Sequence, residues 1–205
     1  PVIQKSIDRS LKNNTSLKDV ILLVKEFRKS NTKTAVVLMG YMNPIHKMGI
    51  NKFVKLIVSV DIDGVLVVDS PPEESQKLNN LLTKSNKSHI YLASPTTTDK
   101  RMKSITQMSS GYVYYVTVKG ITGSKISNIK SIKDNVQKIK KLSNKILPVA
   151  VGFGIKDSKS AKTMARFSDG IIIGSSIVEL INKYADNKKV MNQKLSKYLI
   201  SISRV

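Results

Sequence analysis

The sequence has no cysteine and no tryptophan, and it carries only 14 acidic residues against 35 Lys and Arg in 205 positions. Without cysteine there are no disulfides, no thiol nucleophile and no thiolate metal site. The two histidines, His46 and His89, do not form a ligand spacing, so no metal is expected. No apolar run approaches the roughly 18 residues needed to span a bilayer. The first residues show no signal-peptide pattern. These absences lead us to expect a cytoplasmic chain with no membrane attachment. The shortage of acids leaves a formal charge of +21, which would suit a nucleic-acid binder if it were concentrated. The lysines instead fall on nearly every amphipathic stretch, mostly opposite the apolar stripe, and no basic run is interleaved with aromatics. We read the charge as solvated helix faces and expect no nucleic acid, keeping a basic nucleic-acid-binding module as an alternative.

What is present is a regular alternation. Short β-branched apolar runs at Thr34–Met39, Gly64–Val68, His89–Ala93, Gly111–Val118, Leu147–Val151 and Gly170–Ile173 read as buried strands. Each is followed by a stretch with apolar residues at helical spacing, such as Phe53, Val54 and Ile57, or Ile132, Val136 and Ile139. Ser16-Leu17-Lys18-Asp19 is a capping-box start, and Thr98 can cap a helix carrying Met102 and Ile105. Gly40 to Pro44 reads as a loop, and Glu73 and Glu74 as first-turn charges of the helix containing Leu78 and Leu82. Six βα units in series predict a parallel sheet covered by helices, one domain over residues 1–205. The helix at Pro1 to Leu11 has no strand ahead of it, so we expect the domain to continue upstream of Pro1.

Ligands of such folds meet the carboxyl ends of the strands. Here those ends include Thr117 to Gly123, Gly152-Phe153-Gly154 and Gly174-Ser175, three successive glycine-bearing corners, the last entering a helix. Glycine lets backbone N–H groups close on an anion, and a helix N-terminus adds partial positive charge. The pattern predicts a phosphorylated small molecule. Asp69 is the clear strand-end carboxylate; it reads as capping a turn before Pro71 or supporting the site from behind rather than as a base. No pair of carboxylates converges at the strand ends. Alternation puts Tyr112 and Tyr114 on one face of their strand and Val113 and Tyr115 on the other. Tyr114 then lines a pocket or fills the core.

Several segments carry a family resemblance: PVIQKSIDRSL (1–11), LMGYMNP (38–44), DGVLVVDSPPEES (63–75), YYVTVKGITG (114–123), VGFGIKD (151–157) and GIIIGSSIV (170–178). In order and spacing, the chain resembles the α subunit of tryptophan synthase. The resemblance implies an α/β fold, a (β/α)8 TIM barrel incomplete in this chain, and a lyase that splits indole-3-glycerol phosphate into indole and glyceraldehyde 3-phosphate. It implies no cofactor in this subunit and a β-subunit partner carrying pyridoxal phosphate in an α2β2 heterotetramer. By position it assigns phosphate binding to Gly123, Gly154, Gly174 and Ser175, and the indole and glycerol pocket to Met39, Tyr41, Leu66, Phe153 and Ile172. Tyr114 and the loop residue Thr122 support the site, and Asn43 and Pro71 lie near the β contact. The family's two catalytic carboxylates correspond to positions upstream of Pro1, together with two strands, so no catalytic residue is expected in these 205 residues. The expectation is a carboxyl-terminal portion of an α subunit that is inactive alone. The alternatives are a catalytically inactive phosphate-binding remnant that binds or activates a β subunit, and the basic module above.

Overall fold

A computed structural model describes residues 2–117, 129–152, 154, 155 and 157–203. Two helices come first, α1 (Val2–Lys12) and α2 (Leu17–Arg28), followed by strand β1 (Val37–Gly40) and the helices α3 (Met42–Met48) and α4 (Ile50–Ser59). Next are β2 (Gly64–Val67), α5 (Gln76–Lys84), β3 (Ser88–Ala93), α6 (Asp99–Met108), β4 (Val113–Val116) and α7 (Ile129–Leu142). The chain continues through β5 (Val149–Gly152), α8 (Ser158–Ala165), β6 (Gly170–Ile172), α9 (Ser175–Lys183) and α10 (Lys188–Ser203). The six strands form one parallel sheet in sequence order, an open half-barrel. Among the described residues, β1 and β6 each have one unpaired edge.

Strand alternation sorts the core into two sides. Outside, α2, α3, α4 and α5 pack Ile21, Val24, Ile45, Phe53, Ile57, Leu78 and Leu82 onto Val65 and Val67. Further along, α6, α7 and α8 pack Met102, Ile105, Ile132, Val136, Ile139 and Met164 onto Tyr91, Val113, Tyr115, Val149 and Val151. Burying one such aliphatic side chain contributes about 1.5–3 kcal/mol. Inside the half-barrel, Leu66, Ile90 and Tyr114 are buried together, with Val37, Leu92, Tyr112, Val116 and Ile172 around them. The division of Tyr112 and Tyr114 from Val113 and Tyr115 therefore holds.

Most strand ends shift by one or two residues from the sequence reading, and three departures have a clear local reason. The first strand starts at Val37 rather than Thr34, because the Val36 N–H goes to the Asp63 carboxylate at 2.7 Å. Residues 42–44, read as loop, open the short helix α3; Pro44 fits there because first-turn N–H groups have no intrahelical acceptor. Glu73 and Glu74 precede α5 instead of sitting in its first turn. The chain turns at Pro71–Ser75, with the Glu74 N–H donating to Pro71 O at 3.0 Å. The caps at Ser16 and Thr98 form as expected, Ser16 in a reciprocal box with Asp19.

The amino-terminal side of the sheet is held by a device used twice. Asp63 accepts from the Val36 N–H and from Arg28 Nη2 at 2.6 Å. Asp169 accepts from the Val149 N–H at 2.8 Å and from Lys140 Nζ at 2.7 Å. Burial pushes the Asp169 carboxyl up, but the lysine and the N–H outweigh it and the net displacement is downward.

Candidate phosphate and indole site

The carboxyl ends of β5 and β6 lie side by side, because Gly152 is in register with Ile172. Gly154 follows in the left-handed region at φ 78°, a conformation that favours glycine. Gly174 is the residue before α9, and no side chain caps that helix. The Ile177 N–H turns back to Gly174 O at 3.0 Å, which leaves the N–H groups of Ser175 and Ser176 without an acceptor inside the helix. Ser176, in the same turn, donates its hydroxyl to Ile155 O at 3.3 Å. This bond ties the corner after β5 to the helix start after β6. Gly154, Gly174 and Ser175 are thus brought to one exposed corner at the start of α9, which no side chain caps. Such a corner stabilises an anion by hydrogen bonding and by the helix dipole.

The inner face leads into that corner. Leu66, Tyr114 and Ile172 share the internal cluster. Met39 is the register partner of Leu66 and lies on the same strand face as Val37, yet it is 60% exposed. Tyr41, just beyond the end of β1, is 48% exposed. These two flank the interior at its open edge rather than closing it. Tyr114 leans along its strand toward Gly152, where a Cβ would fall 2.5 Å from its Oη. Burial pushes the Tyr114 phenol above its ordinary range, with Tyr112 adding to the displacement, so it stays a neutral donor. Thr117 donates its hydroxyl to Gly152 O at 3.2 Å and locks β4 to the same corner. Thr122, Gly123 and Phe153 lie outside the described residues.

One residue that sequence reasoning missed belongs here. α1 packs on α9, and Ile3 Cδ1 comes 3.8 Å from where a Gly174 Cβ would stand. Ile3 was legible only as one position of an apolar stripe; nothing in its spacing says which stretch of the fold the helix covers.

On the other side of the opening, Asp69 accepts from the Met42 N–H at 2.8 Å. The carboxylate therefore holds the start of α3 and joins the two loops that carry Asn43 and Pro71. Asn43 is exposed and Pro71 half-buried. A cleft of about 290 Å³ runs beside them, lined by Asp69, Pro71, Pro72, Tyr91 and Arg101 among others. Among the described residues, no group of three His, Cys, Asp or Glu is placed to hold a metal ion. No helix among them is long and apolar enough to cross a membrane.

The whole length of this arrangement has counterparts. The family model described as tryptophan synthase alpha chain matches residues 1–203. The tryptophan synthase alpha chain of Marinobacter nauticus is 43% identical over 199 residues, covering 97% of this chain and 73% of its own length. That of Hydrogenovibrio crunogenus is 44% identical over 197 residues, covering 96% and 72%. Among solved structures, the alpha chain from Legionella pneumophila superposes with a TM-score of 0.88 at 37% identity, over 100% of this chain and 74% of that one. A chain of the tryptophan synthase complex from Pyrococcus furiosus gives 0.86 at 29% identity, over 100% and 80%. With internal cluster, strand order and corner geometry already those of a parallel half-barrel open at its carboxyl end, these likenesses make the chain a member of the tryptophan synthase alpha chain family.

Proposed function

We propose that this chain is a tryptophan synthase α subunit acting on indole-3-glycerol phosphate, and that its residues form the phosphate corner and much of the indole pocket. The reaction is a retro-aldol cleavage. The bond between indole C3 and the glycerol side chain breaks, the side-chain hydroxyl loses its proton as the aldehyde forms, and C3 gains one. Indole and glyceraldehyde 3-phosphate leave, and no oxidant or reductant is consumed. Proton transfer at two places needs a positioned acid and base. Asp69 Oδ1 holds the Met42 N–H, and we assign the acid and base work to the two carboxylates that the family resemblance implies.

The observation that carries the reading is the Ser176 to Ile155 hydrogen bond, which holds two glycine-bearing corners together at the end of the apolar interior. In this assignment Gly154, Gly174 and Ser175 hold the phosphate, joined by Gly123. Leu66, Ile172, Met39 and Tyr41 surround the indole and glycerol with Phe153 and Ile3, and Tyr114 and Thr122 order the site. Asn43 and Pro71 face a β subunit, as in α2β2 complexes, and pyridoxal phosphate belongs to that partner. The chain works in the cytoplasm.

The test is a titration with glyceraldehyde 3-phosphate and with inorganic phosphate, followed by amide NMR. The largest shifts are expected at Gly154, Gly174 and Ser175. Shifts confined to surface lysines would overturn the assignment of the corner.

A further inference from the structure

The outer face of β3 holds a set of buried polar groups that the proposed chemistry leaves unused. Tyr91 packs outward among α6 and α7 residues and is 3% exposed, while Ser75 is fully buried. Their hydroxyl oxygens lie 2.6 Å apart. The Ser75 hydroxyl also reaches Pro72 O at 3.2 Å. Serine has one hydroxyl proton. If it goes to the Pro72 carbonyl, which can only accept, Tyr91 must supply the proton between the two hydroxyls. The order is then fixed: Tyr91 donates to Ser75, and Ser75 donates to Pro72.

Two neighbouring features support this direction. Ser75 occupies the N-cap position of α5 but makes no capping bond to that helix. A serine cap contributes about 1 kcal/mol, and here the hydroxyl is diverted from that role to the loop. The Tyr91 ring is backed by His89, with ring centroids 4.2 Å apart. His89 in turn is held by Asn79 of α5, with Nδ1 3.1 Å from Asn79 Oδ1. The Tyr91 ring is thus packed on a histidine that α5 itself holds.

We propose that Tyr91 is a positioning residue whose buried hydroxyl straps the Pro71–Ser75 loop to β3 and presents Pro71 in a fixed shape to the β subunit. The claim rests on the reading that Pro71 faces that partner. A loop ordered beforehand spares the complex the cost of ordering it on association.

The experiment uses the α chain with Tyr91→Phe, which keeps the ring and removes the donor. It measures affinity for a tryptophan synthase β subunit, amide exchange at Glu74 and Ser75, and the thermal midpoint. Faster exchange at those amides is expected, with affinity weaker by about five- to tenfold, the weight of one hydrogen bond, and a little-changed midpoint. Ser75→Ala should give the same loss, and the double variant no further loss. Equal affinity and unchanged exchange in both variants, with the parent chain binding β, would overturn the strap. A parent chain that does not bind β, beside exchange that still quickens, would overturn the partner reading and the docking role while leaving the loop tie supported.

Discussion

The ring of Tyr114 occupies the volume that any side chain at Gly152 would need: a Cβ there would stand 2.5 Å from both Cε2 and Oη. Gly152→Ala is therefore expected to destabilise the fold by about 1–3 kcal/mol through overpacking. It should also displace the phenol from the carboxyl end of the sheet. In a Tyr114→Ala background the same change should cost much less, because the obstructing ring is gone. Urea unfolding of the four variants measures this coupling, and strictly additive costs would contradict the geometry.

At Gly174 the opposite holds. Its φ is −121°, outside the region that favours glycine, and an added Cβ would make only an ordinary 3.8 Å contact with Ile3. Gly174→Val should leave the unfolding midpoint nearly unchanged while weakening phosphate-ester binding by about tenfold or more, since the branched side chain blocks backbone approach. Calorimetric titration with glyceraldehyde 3-phosphate reads the affinity. Unaltered affinity would remove Gly174 from the site.

His89 sets a pH dependence of stability. It is 1% exposed, and burial pushes its imidazole down to about 4 from the ordinary 6.5. Between those values the unfolded chain binds a proton that the folded chain refuses, so stability rises with pH through that window. The contribution is complete above about 6.5 and is lost progressively toward pH 4, about 3 kcal/mol in all. Denaturation at stepped pH should show this slope in the parent chain and a flatter one in His89→Gln. Equal slopes would place the acid sensitivity elsewhere.

A protein consisting of these 205 residues alone should give no detectable cleavage of indole-3-glycerol phosphate. Asp69, the carboxylate at a strand end, is bound to the Met42 N–H, and Glu73 pairs with Arg101 at 3.5 Å. In this prediction both serve structure and not proton transfer. An assay of aldehyde release checks this, and measurable turnover would show that the acid and base lie within the sequence.

Much of this architecture was legible because it rests on local periodicity. Buried residues such as Ile132, Val136 and Ile139 fall on a helical stripe, and the split between Tyr114 and Tyr115 follows from alternation alone. The glycine-bearing strand ends marked the corner as well. What stayed hidden depends on contacts distant in sequence. The Asp63 carboxylate that ends the ladder at Val37 lies 27 residues from the N–H it binds. The Ser176 to Ile155 bond spans 21. α3 was obscured by Tyr41, Asn43 and Pro44, residue types that read as a turn until the helix position of Pro44 is known. Ile3 carries no mark of its place beside Gly174, because only the packing of α1 on α9 puts it there.

The paired carboxylate clamps brace the sheet twice over. Asp63 precedes β2 and fastens the residue before β1, while Asp169 precedes β6 and fastens the first residue of β5. Each aspartate stands ahead of a glycine that opens its strand, and each also binds a cation from a preceding helix, Arg28 or Lys140. The two occurrences are four strands apart, half the circumference of an eight-stranded barrel. Each aspartate ties a strand start, its neighbouring strand and an outer helix at once, so the floor of the sheet is pinned at two well-separated places.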